Sequence, residues 1–254
     1  MIDIHCHILP GVDDGPADLN ESINMAKKAA EEGITHLFAT PHHLNEKYLN
    51  IKQDIIGYVL KLNEHLQQNN IPLYVHPGQE LRIHREIFTS IEKEEILTLD
   101  ESGKYLLLEL PSGKVPAYTK EVIYELLLKG ITPIIVHPER NKELLENNKL
   151  LFELVQEGAL TQLTSGSIIG NFGKNIQSFS KKIIEHNLTH FIATDAHNLD
   201  SRGFTLQQAY ETITKTYGIE CTFYFKENAE QLIKGQSLSI LEPLAFKKKI
   251  FGIF

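Results

Sequence analysis

Short apolar runs and longer helical patterns alternate along most of the chain. Between the runs, apolar residues recur at helical spacing, as at Leu19, Ile23 and Ala26, and a glycine such as Gly33 or Gly130 follows the pattern. The apolar runs predict strands over residues 2–7, 34–40, 71–77, 104–110, 131–138, 159–164 and 188–197. The helical patterns predict helices over residues 18–32, 47–69, 84–95, 117–129, 141–157, 172–187 and 203–217, with a short helix near 226–234.

Seven strand-then-helix units in a row predict an α/β fold with a parallel sheet covered by helices. In a chain of 254 residues they fit a closed β/α barrel. An open, doubly wound sheet is the alternative, but the chain has nothing similar to the GxGxxG turn of that fold. Because no linker, repeat or low-complexity tract interrupts the pattern, residues 1–254 are predicted to form one domain.

Residues that bind metals collect where the predicted strands end. His5 and His7 are two apart at the end of the first strand, so they face the same side while Cys6 faces the other. Because the carboxyl ends of parallel strands meet on one face of a barrel, the later candidates should converge with them on one pocket. These candidates are His42, Glu80, Glu109, His137, Asp195 and His197. Such a mixed ligand set suits manganese, zinc or iron, and it is large enough for two or three ions.

Three loop residues are predicted to reach the same pocket. Asp14 lies in the turn GVDDG after the two histidines and is expected to bind a metal; alternatively, Asp13 and Asp14 only shape the turn. Arg140 follows His137, and Arg202 follows the last strand. A guanidinium binds phosphate through two parallel hydrogen bonds, so both arginines are candidate phosphate ligands.

Composition narrows the possible functions. The net charge of −8 argues against a basic groove that binds nucleic acid. The chain has no apolar run as long as a transmembrane segment and no signal-peptide pattern, and its two cysteines, Cys6 and Cys221, predict a cytoplasmic protein without a disulfide framework. A cysteine-dependent phosphatase needs an arginine six residues after the cysteine, where this chain has Val12 and Glu227. A metal-activated water is therefore the predicted nucleophile.

The motifs DIHCH, ATPHH, GQE, LLLEL, IVHPER and ATDAH resemble those of the PHP (polymerase and histidinol phosphatase) superfamily, over about residues 1–205. That resemblance implies a distorted seven-stranded β/α barrel with three metal ions at the C-terminal ends of its strands. The stretch HCHILPGVDDGP is most similar to the bacterial manganese-dependent protein-tyrosine phosphatases, which are encoded beside tyrosine autokinases that control capsule or exopolysaccharide synthesis.

The resemblance also implies a division of the ligands among the ions. His5, His7, Glu80 and Asp195 would hold one ion; Glu80, Glu109 and His137 a second; and Asp14, His42 and His197 a third. Arg140 and Arg202 would hold the phosphate. Many PHP relatives have a histidine where this chain has Glu109, so the preferred metal, with Mn²⁺ expected and iron or zinc as alternatives, is less firmly implied than the site.

The expected reaction is hydrolysis of phosphotyrosine by a metal-bridging hydroxide. The expected substrate is a tyrosine-phosphorylated protein, such as the tyrosine-rich C-terminal tail of a bacterial tyrosine autokinase. Histidinol phosphate or another small phosphoester is an alternative substrate, and a metal-loaded module that only binds phosphotyrosine is a non-enzymatic alternative. An amidohydrolase is a further alternative. That class commonly bridges its metals with a modified lysine on strand four, and the presence of Glu109 there argues against it. The tail LEPLAFKKKIFGIF is expected to pack on the barrel, or else to contact a membrane or a partner.

Overall fold

The computed structural model describes residues 1–100 and 102–246, in which parallel strands alternate with helices. The strands are β1 (Ile2–Cys6), β2 (His36–Ala39), β3 (His42–His43), β4 (Tyr74–Pro77), β5 (Glu80–Arg82), β6 (Tyr105–Glu109), β7 (Thr132–Val136), β8 (Leu160–Thr164) and β9 (Phe191–Ala193). The helices are α1 (Leu19–Glu31), α2 (Lys52–Gln68), α3 (Ile87–Glu92), α4 (Thr119–Leu128), α5 (Lys142–Glu146), α6 (Asn148–Gln156), α7 (Ser165–Ile169), α8 (Lys174–Glu185), α9 (Leu206–Tyr217) and α10 (Ile219–Ile233). The predicted α/β class is confirmed.

The strands form two parallel sheets, with the orders β1-β2-β4 and β3-β5-β6-β7-β8-β9. β3 follows β2, and β5 follows β4, after two-residue interruptions. A side chain on Gly78, in the second interruption, would place its Cβ 2.7 Å from a methyl group of Leu99, which explains the glycine there. β1 of the first sheet also lies beside β9 of the second, where the Asp195 amide donates to the His5 carbonyl at 2.9 Å.

Most strands bury both of their faces, as parallel strands covered by helices do, and β4 is an exception because Tyr74 is exposed. In β6, Tyr105 and Leu107 pack with Phe191 in an inner cluster, whereas Leu106 and Leu108 pack in an outer cluster that the helices cover. The fully buried carboxylate of Asp3 accepts hydrogen bonds from the amide and hydroxyl of Thr194 and so fixes β1 to β9 below the strand ends. Packing on both faces of the strands, together with the hydrogen bonds of Asp3, thus fixes the positions of the strand ends.

Local sequence signals mark the ends of some of the helices. Asp18 precedes α1 and accepts hydrogen bonds from the amides of Asn20 and Glu21. Gly33 has φ +81° just after α1, and Gly218 has φ +92° where α9 ends and α10 begins. These backbone angles favour glycine, because a Cβ would be strained there.

Three helical segments differ from the prediction. The helix predicted over 141–157 is divided at Asn147 into α5 and α6, and the short helix α7 directly after β8 was not predicted. The residues after Gly218 form one fifteen-residue helix, α10, and not a helix confined to 226–234.

Outside the core, two observations concern the membrane and the tail. No helix within residues 1–100 and 102–246 combines the length and the hydropathy that crossing a bilayer requires. The tail packs on the fold up to Phe246, whose ring stacks on His186 with centroids 4.3 Å apart. The rest of the tail, KKKIFGIF, lies outside the described residues.

Candidate metal centre

The nine predicted metal ligands converge at the carboxyl ends of the strands. Each lies in a strand's last residues, in a short strand, or in the loop that follows. The cavity of about 300 Å³ above them is lined by five of the nine, together with Arg140 and Arg202. The nine residues are His5, His7, Asp14, His42, Glu80, Glu109, His137, Asp195 and His197.

The most buried group consists of His5, His7, Glu80 and Asp195. The Nε2 atoms of His5 and His7 lie 3.3 Å apart. The Glu80 Oε2 atom is 3.4 Å and 3.2 Å from these two nitrogens, and the Asp195 Oδ1 atom is 3.5 Å and 3.4 Å from them. His5, His7 and Glu80 thus offer donor atoms close enough to one another to hold one ion, and Asp195 Oδ1 lies beside the two histidines.

The second group is built around Glu80, whose two oxygens have different neighbours. Glu80 Oε2 lies 2.9 Å from His42 Nδ1, which is also 3.7 Å from Glu109 Oε2. Glu80 Oε1 lies 2.9 Å from His137 Nε2. The resemblance grouped His137 with Glu80 and Glu109, whereas in the structure His42 is the histidine placed to share an ion with both carboxylates.

Asp14 stands at the outer edge of the cluster. Its Oδ1 atom lies 3.4 Å from His42 Nε2 and 3.3 Å from His197 Nε2. The His7 ring is close as well, with its centroid 3.8 Å from that of His197. These four residues offer donor atoms near enough to hold one ion, which adds His7 to the ligand set implied for the third ion.

Side chains behind the cluster orient the histidines. His7 Nδ1 lies 2.6 Å from Asp13 Oδ2, and His5 Nδ1 lies 2.9 Å from Gln162 Oε1. His197 Nδ1 is 2.9 Å from the Asp195 carbonyl. A proton held on Nδ1 leaves the Nε2 lone pair free for a metal. The orienting roles of Asp13 and Gln162 were not predicted from the sequence, although the period of two along β8 places Gln162 on one face with Leu160 and Thr164.

Three arginines contact the carboxylates of the cluster. Arg140 and Arg202 both donate to the same atom, Asp195 Oδ2, at 2.6 Å and 2.8 Å. Arg82, which the sequence reasoning missed, lies 3.0 Å from Glu109 Oε2. Its position two residues after Glu80 on β5 was the available signal, because such residues share a face of the strand.

Charge and burial oppose one another throughout the cluster. Burial and the neighbouring Glu80 raise the pKa of Glu109 to about 7, although Arg82 lowers it. Burial also works against the charged form of Asp195, yet Arg140 and His5 hold its pKa well below the usual value. Burial likewise disfavours charge on His42, but Glu80 and Asp14 raise its pKa to about 10. Buried carboxylates that attract protons onto histidines in this way will also attract cations.

The residues fit divalent metal ions. Three buried atoms of the cluster form no hydrogen bonds: Glu80 Oε2, Asp195 Oδ1 and His197 Nε2. Unpaired buried polar atoms are costly, and shared coordination of a cation is the arrangement that satisfies them. Carboxylate oxygens and imidazole nitrogens are suitable ligands for manganese, iron and zinc.

Two of these residues have a strained backbone. His137 and Asp195, at the ends of β7 and β9, have φ angles of +35° and +53°. The left-handed region costs a residue with a Cβ on the order of 1–2 kcal/mol. Strained conformations concentrate at functional sites, where the surrounding structure enforces them.

Cys6 lies on the face opposite the histidines, as predicted. Its side chain is fully buried in the outer cluster, and its Sγ atom is 3.4 Å from the Ala196 carbonyl. Burial, with the nearby carboxylate of Asp3, raises the pKa of the Cys6 thiol well above its usual value. Such a thiol is a poor nucleophile, because the thiolate is the reactive form.

Comparisons with known proteins agree with the geometry. Residues 1–234 match the family described as capsular polysaccharide synthesis, CpsB/CapC. The tyrosine-protein phosphatase YwqE of Bacillus subtilis is 45% identical over the full length of both chains, and the tyrosine-protein phosphatase CpsB of Streptococcus pneumoniae is 31% identical, over 93% of this chain and 99% of the relative.

A solved structure is similar over nearly the whole chain. It comes from the crystal structures of YwqE and CpsB, described as unique metal-dependent tyrosine phosphatases. The TM-score is 0.94 at 45% identity, and the match covers 98% of this chain and 100% of the other.

Proposed function

This chain belongs to the CpsB/CapC family of capsular polysaccharide synthesis proteins, and from that premise we propose that it is a metal-dependent protein-tyrosine phosphatase. One observation carries the proposal: nine candidate metal ligands, all but Asp14 buried or half-buried, cluster at the strand ends, and five of them line one cavity together with Arg140 and Arg202. A metal cluster beside guanidinium groups is suited to the phosphoryl group, which carries negative charge on its oxygens.

The nine residues are proposed to hold two or three ions, with Mn²⁺ favoured and iron or zinc as the alternatives. Bound ions would act as Lewis acids and would lower the pKa of a coordinated water so that it can attack near neutral pH. The proposed ligands are His5, His7, Asp14, His42, Glu80, Glu109, His137, Asp195 and His197. If β2 with β3, and β4 with β5, are each counted as one interrupted strand, the two sheets contain seven strands. We also propose that these strands form one distorted barrel, which the hydrogen bonds between the ends of β1 and β9 support.

The chain's own residues position the substrate and balance its charge. Arg140 and Arg202 each donate one hydrogen bond to Asp195 Oδ2. The other N–H groups of each guanidinium can therefore donate to phosphate oxygens in the cavity that both arginines line. Asp195 thereby holds the two arginines together. The departing phenolate has a pKa of about 10, so the leaving oxygen needs less help from a protein acid than an alkyl oxygen would.

The substrate is proposed to be a phosphotyrosine residue of another protein, namely the tyrosine-rich tail of a bacterial tyrosine autokinase and its targets in capsule or exopolysaccharide regulation. The match to a capsular polysaccharide synthesis family supports this substrate. A cytoplasmic location is part of the same proposal, and it agrees with Cys6 and Cys221 both being free thiols.

Replacing Arg140 tests the proposal. Arg140→Ala should lower kcat/KM for a phosphotyrosine peptide by about 10²- to 10³-fold, as loss of a transition-state hydrogen-bond donor does. The metal content at saturating Mn²⁺ should remain unchanged, because Arg202 still donates to Asp195 Oδ2. Phosphate release and metal analysis provide the two readouts.

The exposed Arg85, which pairs with Glu121 outside the cavity, supplies a matched control. Arg85→Ala should leave both readouts unchanged. Undiminished turnover in Arg140→Ala would contradict its role at the phosphate, and so would a loss of bound metal that accounts for the lost activity. Faster turnover of histidinol phosphate than of phosphotyrosine peptide by the unmodified protein would favour the small-phosphoester alternative.

A further inference from the structure

A second cavity opens beside the one that contains the arginines. Its volume is about 580 Å³, and it shares Asp14, His42, Glu109 and Ser112 with the first cavity. The two spaces are therefore continuous over the metal-binding side chains. Their other walls differ, because Arg140 and Arg202 line only the first cavity. Four of the residues that line the second cavity are apolar or aromatic, namely Leu44, Tyr48, Ile83 and Pro111, and the others are polar or charged.

Tyr48 is held in place at this wall. Its ring is almost parallel to the imidazole of His42, with an angle of 6° and centroids 6.1 Å apart. The amides of Lys47 and Tyr48 donate to Asn45 Oδ1 at 3.1 Å and 2.8 Å, and the first of these bonds closes an Asx turn. Two residues later, the buried Asn50 donates to the His42 carbonyl at 2.8 Å and to the Val12 carbonyl at 3.1 Å. The loop is thus fixed to the strand end that carries His42, which holds the backbone of Tyr48 beside the cavity.

We propose that the second cavity is the aryl subsite of the phosphatase and that Tyr48 is a specificity-determining residue, which stacks against the phenyl ring of phosphotyrosine. This inference rests on the proposed function. With the phosphate held by Arg140 and Arg202 in the first cavity, the ring bonded to it must occupy an adjoining space. The second cavity adjoins the first at His42 and Glu109, and it offers a flat aromatic partner.

The second cavity is lined by three carboxylates, Asp14, Glu46 and Glu109, and by two cations, Lys47 and Arg82, so its charges do not favour a second phosphate. The guanidinium of Arg82 is paired with Glu109 at 3.0 Å, so its charge is balanced, while its flat face can still lie against an aromatic ring. A third cavity, of about 250 Å³, meets the first only at Asp14 and is lined by the carboxylates of Glu21 and Asp200. None of the described residues that line this third cavity is Phe, Tyr or Trp, so it has no counterpart of Tyr48 for stacking.

Two phosphate analogues separate the aryl subsite from the phosphate site. Inorganic phosphate has no ring, whereas phenylphosphonate has the ring directly on phosphorus. Binding of each to the Mn²⁺-loaded protein is measured by calorimetry. Tyr48→Ala should weaken phenylphosphonate binding by about three- to tenfold, the range expected for loss of one aromatic pair, and should leave the dissociation constant for inorganic phosphate unchanged. Tyr48→Phe, which keeps the ring, should bind both probes as the unmodified protein does.

Two variants serve as controls. Tyr58→Ala removes an exposed tyrosine from α2 and should change neither affinity. Leu199→Ala alters the third cavity and should also have no effect; selective loss of phenylphosphonate in this variant would move the subsite there and overturn the proposal. An equal loss of both probes in Tyr48→Ala, or no loss of either, would overturn it as well.

The experiment also distinguishes this inference from the proposed function. If the unmodified protein releases no phosphate from a phosphotyrosine peptide, the proposed function fails. If turnover is normal but Tyr48→Ala binds phenylphosphonate as tightly as before, only the aryl subsite fails. Metal content and circular dichroism of Tyr48→Ala establish that the fold and the ion cluster are intact when the affinities are compared.

Discussion

A histidine can bind a metal only through a ring nitrogen that carries no proton, so its other nitrogen has to hold one. Asp13 enforces this arrangement on His7, because its Oδ2 atom lies 2.6 Å from His7 Nδ1. The same carboxylate accepts hydrogen bonds from the amides of Gly15 and His42. Asp13 thus connects the first strand end, the turn and the second strand end, although it is not itself among the proposed ligands.

Asp13→Asn should reduce the affinity for Mn²⁺ by about 10- to 100-fold, the usual cost of losing a carboxylate that orients a metal-binding histidine. The amide can still accept a hydrogen bond but lacks the charge that fixes the proton on His7 Nδ1. Affinity is measured by competition with a chelator. Asp18→Asn makes the same change at the start of α1, where Asn is an equally good cap, and should bind Mn²⁺ normally. Equal affinities in the two variants would contradict the role of Asp13.

Elements differ in how far the sequence determines them. Most strands, and the convergence of the candidate ligands at their ends, were predictable, because alternation along a strand and parallel strand order together place residues on one face. The helix α10 was not predictable, because its segment CTFYF suggests no helix. Its buried residues Phe225, Ala229 and Leu232 do follow helical spacing. That spacing is recognisable as a buried helix face only once α10 is seen to pack against β1 and β9. The contact of Arg82 with Glu109 depends on the pairing of β5 with β6, which no single segment encodes.

The start of β9 depends on a neutral histidine. His190 is buried, and its Nδ1 atom accepts a hydrogen bond from the Thr161 amide at 3.1 Å, while the His190 amide donates to the Thr161 carbonyl. Burial lowers the pKa of His190 from 6.5 to about 4. In the unfolded chain this side chain takes up a proton near pH 6.5, so the unfolded state gains protons before the folded state does.

Stability should therefore be complete above about pH 6.5 and should be lost as the pH falls from there toward 4. Between about pH 7.5 and pH 5.5, His190 alone should lower the free energy of unfolding by about 1.4 kcal/mol. His190→Asn retains an acceptor for the Thr161 amide but does not titrate, so its urea unfolding should show a correspondingly smaller loss over the same range. Identical pH dependence of the two proteins would contradict the buried neutral state of His190.

At the scale of the whole molecule, the candidate site is assembled from residues that lie far apart in the sequence. His5 and Asp195 are separated by most of the chain, yet their side chains lie 3.5 Å apart across the junction of β1 and β9. An unfolded chain cannot hold nine such ligands around common points. Ions that bind the folded state alone must therefore stabilise the entire fold, not only the face that they occupy.

The number of ions can be obtained from this linkage. Above the dissociation constants, each tenfold rise in free Mn²⁺ should increase the free energy of unfolding by about 1.4 kcal/mol for each bound ion, thus by about 2.7 kcal/mol for two ions and about 4.1 kcal/mol for three. The measurement is urea unfolding at a series of buffered Mn²⁺ concentrations, with EDTA defining the metal-free protein. Because three overlapping groups of donor atoms are present, we expect a slope that corresponds to at least two bound ions. A slope of one would mean that the overlapping groups bind a single ion, and a slope of zero would mean that the cluster binds none; either result contradicts the proposed multi-metal centre.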